Sequence, residues 1–205
     1  RGCVRMQTGK RAGRASMKQE TINRLMLRLA RRGLRVVRLK GGDPSVFGRV
    51  GEEASFLKAH GVNVSVVPGV TAASAAAAQF GFPLTHRGVA RRISFATARV
   101  LDGSVVEEGW AANADPGATL ALYMARDACE AVTRRLIEQG RDPSTPAAAI
   151  ENAGAPHARM ISGNLETLAP RLEAAACTGP VLLVIGEALA AARGFAEQSG
   201  QNRKA

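Results

Sequence analysis

Aromatic residues are scarce in this chain: six Phe, one Tyr and one Trp among 205 residues. Platforms that stack single-stranded bases are built from such rings, so their scarcity counts against nucleic acid as a partner. Cysteine is scarcer still, and Cys3, Cys129 and Cys177 lie far apart with no C-x-x-C pair. That excludes a disulfide framework and a dithiol redox motif, and it points to a reducing cytoplasm. His60, His86 and His157 are equally dispersed, so no metal site is expected. No apolar run approaches the roughly 20 residues that span a bilayer, and no membrane is expected as a partner. Acidic side chains are also in deficit, 17 Asp and Glu against 28 Lys and Arg, for a net charge of +11. Such a balance suits a polyanionic partner: nucleic acid, an anionic membrane surface or a carboxylate-rich small molecule. A plain solvated arginine surface accounts for it as well, and charge alone does not choose.

What is present is the balance of a globular protein, 46% hydrophobic and 22% charged. Residues 1–5 read as neither a signal peptide nor a domain start, so upstream sequence is expected. Ser16 and Gln19 form a capping-box signature, and Ile22, Leu25, Met26 and Leu29 share a helical face that Gly33 closes. The β-branched run 35–40 predicts a buried strand, followed by a helix over 49–60, a strand over 62–67 and an alanine-rich helix from Thr71. Helix and strand alternating with short connections predict a doubly wound α/β sheet. The second half predicts strands at 93–98, 119–124, 146–151, 159–162 and 181–185, with helices at 127–139 and 165–176. A lobe boundary near Arg87-Gly88 divides the chain into 1–87 and 88–193, and 194–205 reads as a disordered tail.

Two turns carry the chemistry. In VVRLKGGDPSVFGR, residues 36–49, a strand running into Gly41 and Gly42 presents bare backbone at the carboxyl edge of a sheet. Open α/β proteins bind ligands at that edge, and Asp43 adds an acceptor for ribose hydroxyls or an amino group. G-G-D-P is also an ordinary turn. The second, VVPGVTA at 66–72, leads into a helix whose free amides and Thr71 hydroxyl suit polar ligand atoms. Taken singly, Thr71 is simply an N-cap.

In order along the chain stand GKRAG at 9–13, VRLKGGDP at 37–44, FGR at 47–49, GEE at 51–53, VPGVTA at 67–72 and PLTHRG at 83–88. ALYM at 121–124, IENA at 150–153 and VIGEA at 184–188 follow. Together they closely resemble the uroporphyrinogen-III C-methyltransferases of the tetrapyrrole methylase family, over residues 9 to about 190. The resemblance implies a two-lobed α/β fold, each lobe a mainly parallel or mixed sheet flanked by helices, and S-adenosyl-L-methionine as methyl donor in a homodimer. Carried over by position, Gly41, Gly42, Asp43 and Val46 line the cofactor site, with Thr71, Ala72, Met124 and Ala153. Lys10 matches a lysine with a proton-transfer role. The implied reaction is methylation of uroporphyrinogen III to precorrin-2, for sirohaem or cobalamin. The eight carboxylates of that substrate give the basic charge a reason, with Arg11, Arg14, Arg49 and Arg87 as candidate partners.

The sequence departs from the family pattern at its start, where the first strand and a glycine-rich loop with a base aspartate have no counterpart before Lys10. Val50, residues 94–99, Ala125 and Ala153 also differ from the usual residues. Two alternatives remain open: an inactive truncated copy, and a sibling methylase acting on RNA or a protein side chain.

Overall fold

Four of the five described α-helices stop where the sequence places glycine. In the computed structural model, which describes residues 2–8, 17–98, 100–101, 104–105 and 113–191, α1 spans Gln19–Arg31 and α2 spans Val50–Ala59. Gly33 and Gly61 follow at φ 74° and 76°, left-handed angles that cost glycine nothing. Around them the Gly33 and Leu34 amides donate to Ala30 and Leu29, and those of Gly61 and Val62 to Lys58 and Leu57. These paired returns satisfy the last carbonyls of each helix. The Ser16 half of the expected capping box lies outside the described residues.

Contacts divide the chain into two units, Arg1–Val70 and Thr71–Ala205. In the first, Ile22, Met26 and Leu27 of α1 pack with Leu57 of α2, and Phe56, Val62 and Val64 join them. The expected strands at 35–40 and 62–67 do not form; among the described residues neither segment enters a ladder. β-branched composition favours a pleated surface but supplies no neighbour to pair with. Leu39 and Val67 consequently stand 81% and 78% exposed.

The second unit begins with α3, Ala72–Phe80, and holds a five-stranded sheet. Its strands are β1, Arg92–Thr97; β4, Ala118–Tyr123; β5, Pro146–Glu151; β6, Arg159–Asn164; and β7, Val181–Ile185. A two-stranded ribbon of β2, Val100–Leu101, and β3, Ser104–Val105, lies in the connection after β1. The helices are α4, Cys129–Glu138, and α5, Leu168–Ala174, and a 3-10 turn over Glu187–Ala191 follows β7. Strand order is β1-β4-β7-β5-β6, with β1 parallel to β4 and every other pairing antiparallel. The fold is therefore mixed α/β.

Period-2 alternation sends β4, β5 and β7 side chains to two cores. Leu120, Leu122, Ala147, Ala149, Leu183 and Ile185 pack on one face against Val132 and Leu136 of α4 and Leu168 of α5. Ala121, Ala148, Ile150, Leu182 and Val184 pack on the other against Ala73 and Ala76 of α3. The contact division falls just before α3, whose Ala73 and Ala76 pack on this sheet. The proposed tail, 194–205, lies outside the described residues.

Candidate functional site

In the first unit the Gly41-Gly42-Asp43-Pro44 turn is held by its own carboxylate. Asp43 Oδ1 accepts the Ser45 amide at 2.8 Å and the Ser45 hydroxyl, and Oδ2 accepts the Gly69 amide at 3.0 Å. These bonds, the Ser45 hydroxyl first, hold the Asp43 carboxyl below its ordinary value. They fill three of its roughly four acceptor positions, so much of the charge assigned to a ligand secures the loop. Gly69 runs so close that a Cβ there would stand 2.4 Å from the Gly42 carbonyl oxygen. A Cβ on Gly48 would stand 2.4 Å from that of Pro44. Gly41 and Gly42 are exposed, and Val46, half-buried, closes the turn through its amide to Asp43 at 3.2 Å.

Tied to this loop through Lys40 is a carboxylate of the GEE segment that nothing in the sequence marks as functional. Glu53 is 4% exposed. It takes Lys40 Nζ at 2.9 Å, Gln19 Nε2 at 2.9 Å and Arg38 Nε at 3.3 Å, tying α1, α2 and the entry to the glycine turn. Lys40 also donates to the Gly48 carbonyl at the far end of the loop. Burial pushes the Glu53 carboxyl up, but hydrogen bonds from Lys40 and Gln19, with the charges of Lys40 and Arg38, hold it below its ordinary value.

In the second unit β4 and β5 both run antiparallel to β7, so their carboxyl ends lie at one edge of the sheet. Tyr123 and Met124 leave from the first and Asn152 and Ala153 from the second. Ala72, Tyr123 and Ala153 pack around the same alanine-lined core. Thr71 Oγ1 lies 2.5 Å from the Tyr123 hydroxyl, which also accepts the Ala73 amide at 3.2 Å. Met124 follows at φ 55° and is 70% exposed, a strained backbone that turns a large apolar side chain outward. Gln79 clamps the other loop to α3, donating to the Ala155 carbonyl at 2.9 Å and accepting the Gly154 amide at 3.0 Å. Thr71, Ala72, Met124 and Ala153 thus gather around one end of one sheet.

Glu151, one residue before that loop, is another buried hub. Its oxygens accept the amides of Gly179 at 2.6 Å and Thr178 at 2.8 Å and pair with Arg159 at 2.5 Å. The Gly179 amide first and Arg159 next pull its carboxyl down to about 2. Of the candidate substrate arginines, Arg49 is engaged bidentately by Glu52 at 2.7 and 2.8 Å. Arg87 is exposed in the turn between His86 and Ala90. Lys10, Arg11 and Arg14 lie outside the described residues. A groove of about 860 Å³ between α4 and α5 holds none of the sequence-predicted site residues and sits on the sheet face away from α3. No group of side chains able to hold a metal occurs among the described residues.

The family model for tetrapyrrole (corrin/porphyrin) methylases matches residues 3–169. The chain belongs to the tetrapyrrole methylase family. It is 46% identical over 187 residues to a sirohaem synthase of Azotobacter vinelandii, covering 91% of this chain and 40% of that protein. It is 43% identical over 183 residues to the chloroplastic S-adenosyl-L-methionine-dependent uroporphyrinogen III methyltransferase of Arabidopsis thaliana, covering 89% and 50%. This tetrapyrrole methylase chain therefore spans half or less of the length of these curated relatives. Among solved structures, the Thermus thermophilus uroporphyrin-III C-methyl transferase complexed with S-adenyl homocysteine superposes with a TM-score of 0.70 at 41% identity, covering 84% of this chain and 75% of that one. A cobalt precorrin-4 methyltransferase gives 0.77 at 27% identity, covering 87% and 73%.

Proposed function

We propose that this chain carries an S-adenosyl-L-methionine-dependent C-methyltransferase activity that converts uroporphyrinogen III to precorrin-2 by two methyl transfers, toward sirohaem or cobalamin. The observation that carries the reading is the likeness to methyltransferases named for that substrate, at 41–43% identity over most of the chain. The local geometry suits the methyl donor, whose amino-acid end and ribose present many polar atoms. Gly41 and Gly42 leave backbone uncovered, with nothing within 4 Å of a Cβ added at Gly41. In the first unit the proposed contacts are Gly41, Gly42, Asp43 and Val46; in the second they are Thr71, Ala72, Met124 and Ala153. Lys10 is the proposed proton-transfer residue.

When bound, the sulfonium of the donor supplies an electrophilic methyl group for an SN2 transfer. The chain's residues then have to align and exclude water rather than activate. The Asp43–Ser45–Gly69 bonds hold the glycine turn rigid, and the Thr71–Tyr123 pair fixes the first turn of α3. Met124 offers an apolar face suited to a macrocycle. Carbon methylation must be followed by proton loss from the substrate, and that is the role given to Lys10. The substrate's carboxylates suit the +11 charge. A homodimer completes the proposal, and three unpaired thiols support a reducing compartment such as the cytoplasm.

The test is transfer of a radiolabelled methyl from S-adenosyl-L-methionine to uroporphyrinogen III, with an RNA mixture as a parallel acceptor. Label is expected in the tetrapyrrole alone. Label in RNA, or none in either, would overturn the reading.

A further inference from the structure

Tyr123 is the only tyrosine in the chain. Its ring meets Phe95 edge-on at 5.9 Å between centroids, and its hydroxyl reaches the first turn of α3. A threonine at an N-cap ordinarily satisfies the second or third helical amide with its own oxygen. Thr71 occupies the N-cap and makes no such bond. The amide of Ala73, second in the helix, is taken instead by Tyr123 at 3.2 Å. The same hydroxyl holds Thr71 Oγ1 at 2.5 Å. A threonine hydroxyl has one donor and two acceptor positions, so that contact leaves Thr71 with capacity to spare.

We infer that Tyr123 is a positioning residue that takes over the capping of α3, so that the Thr71 hydroxyl is held away from its own helix and offered to a polar group of the methyl donor. This rests on the cofactor site proposed above. Without the phenol oxygen, Thr71 is free to turn inward and cap the Ala73 amide itself. Helix α3 would then keep its cap while the ligand loses a contact, the reverse of what a purely structural tyrosine would show.

Tyr123→Phe keeps the ring beside Phe95 and removes only the hydroxyl. Calorimetric titration with S-adenosylhomocysteine should show affinity reduced roughly tenfold, the size of one lost polar contact. In methyl transfer, KM for the donor should rise by a similar factor with kcat held, and the melting temperature should stay near that of the unmodified chain. Thr71→Val should lose as much affinity, and the double variant no more than Thr71→Val alone. Unchanged affinity in Tyr123→Phe, or losses that add in the double variant, would overturn the inference while leaving the cofactor reading in place. Failure of the unmodified chain to bind S-adenosylhomocysteine would overturn both.

Discussion

Removing the Glu53 carboxylate should loosen the glycine turn without touching it. The carboxylate is 4% exposed and its partner Lys40 has only 10% of its side chain in water. Glu53→Ala therefore strands an ammonium group in a poorly hydrated place, a change that typically costs 3–5 kcal/mol. Arg38, 29% exposed, can swing into solvent. The lower end, about 3 kcal/mol, is the expectation. With a urea slope of about 2 kcal/mol per molar, the midpoint should fall by roughly 1.5 M. Glu52 is the comparator, since it is one residue away on the same helix and its pair with Arg49 is exposed on both sides. Glu52→Ala should leave the urea midpoint close to that of the unmodified chain, because water screens the exposed pair. Hydrogen exchange should quicken over residues 38–49 in Glu53→Ala and not in Glu52→Ala. The sign with pH follows from the depressed carboxyl. Its stabilisation is complete above the unfolded value near 4.5 and is lost as pH falls below it, so Glu53→Ala should show a shallower acid transition. If the two alanine variants unfold alike and exchange over 38–49 is unchanged, Glu53 does not organise the loop.

Glu151, with its carboxyl drawn down to about 2 from 4.5, stabilises the folded chain above pH 4.5 and loses that contribution progressively toward pH 2. Glu151→Gln should unfold at lower urea at pH 7 and approach the unmodified chain in acid, as followed by circular dichroism. Gly69→Ala should force the Gly42–Asp43 backbone aside, at a cost of roughly 1–3 kcal/mol, and weaken S-adenosylhomocysteine binding in calorimetry.

The helix ends were the most legible part of the sequence, because a left-handed residue after a helix has one cheap solution. Gly33, Gly61, Gly81 and Gly140 all follow helices at positive φ, where the sequence placed stops. The second-unit strands were legible for a different reason: buried apolar runs such as 181–185 sit on a sheet covered on both faces, and β7 spans that range. The run at 35–40 holds Val36, Val37 and Leu39 among three basic residues and forms no ladder, since a strand is a relation between segments and the composition of one segment supplies no partner. In the candidate site the two turns proposed to hold the donor were visible, one as a glycine pair after the run at 35–40 and the other as a threonine at a helix start. Their supports were not. Glu53 finds Gln19 across 34 positions, and Tyr123 finds Thr71 across 52. A lone tyrosine ending a buried strand was the available signal, because a half-buried phenol seeks a partner.

Mapping where S-adenosylhomocysteine slows amide exchange on the unmodified chain would locate the donor on it. Protection is expected over residues 41–46, 71–73 and 123–125, with the α4–α5 groove unaffected. Protection confined to that groove, or none despite saturating ligand, would contradict that expectation.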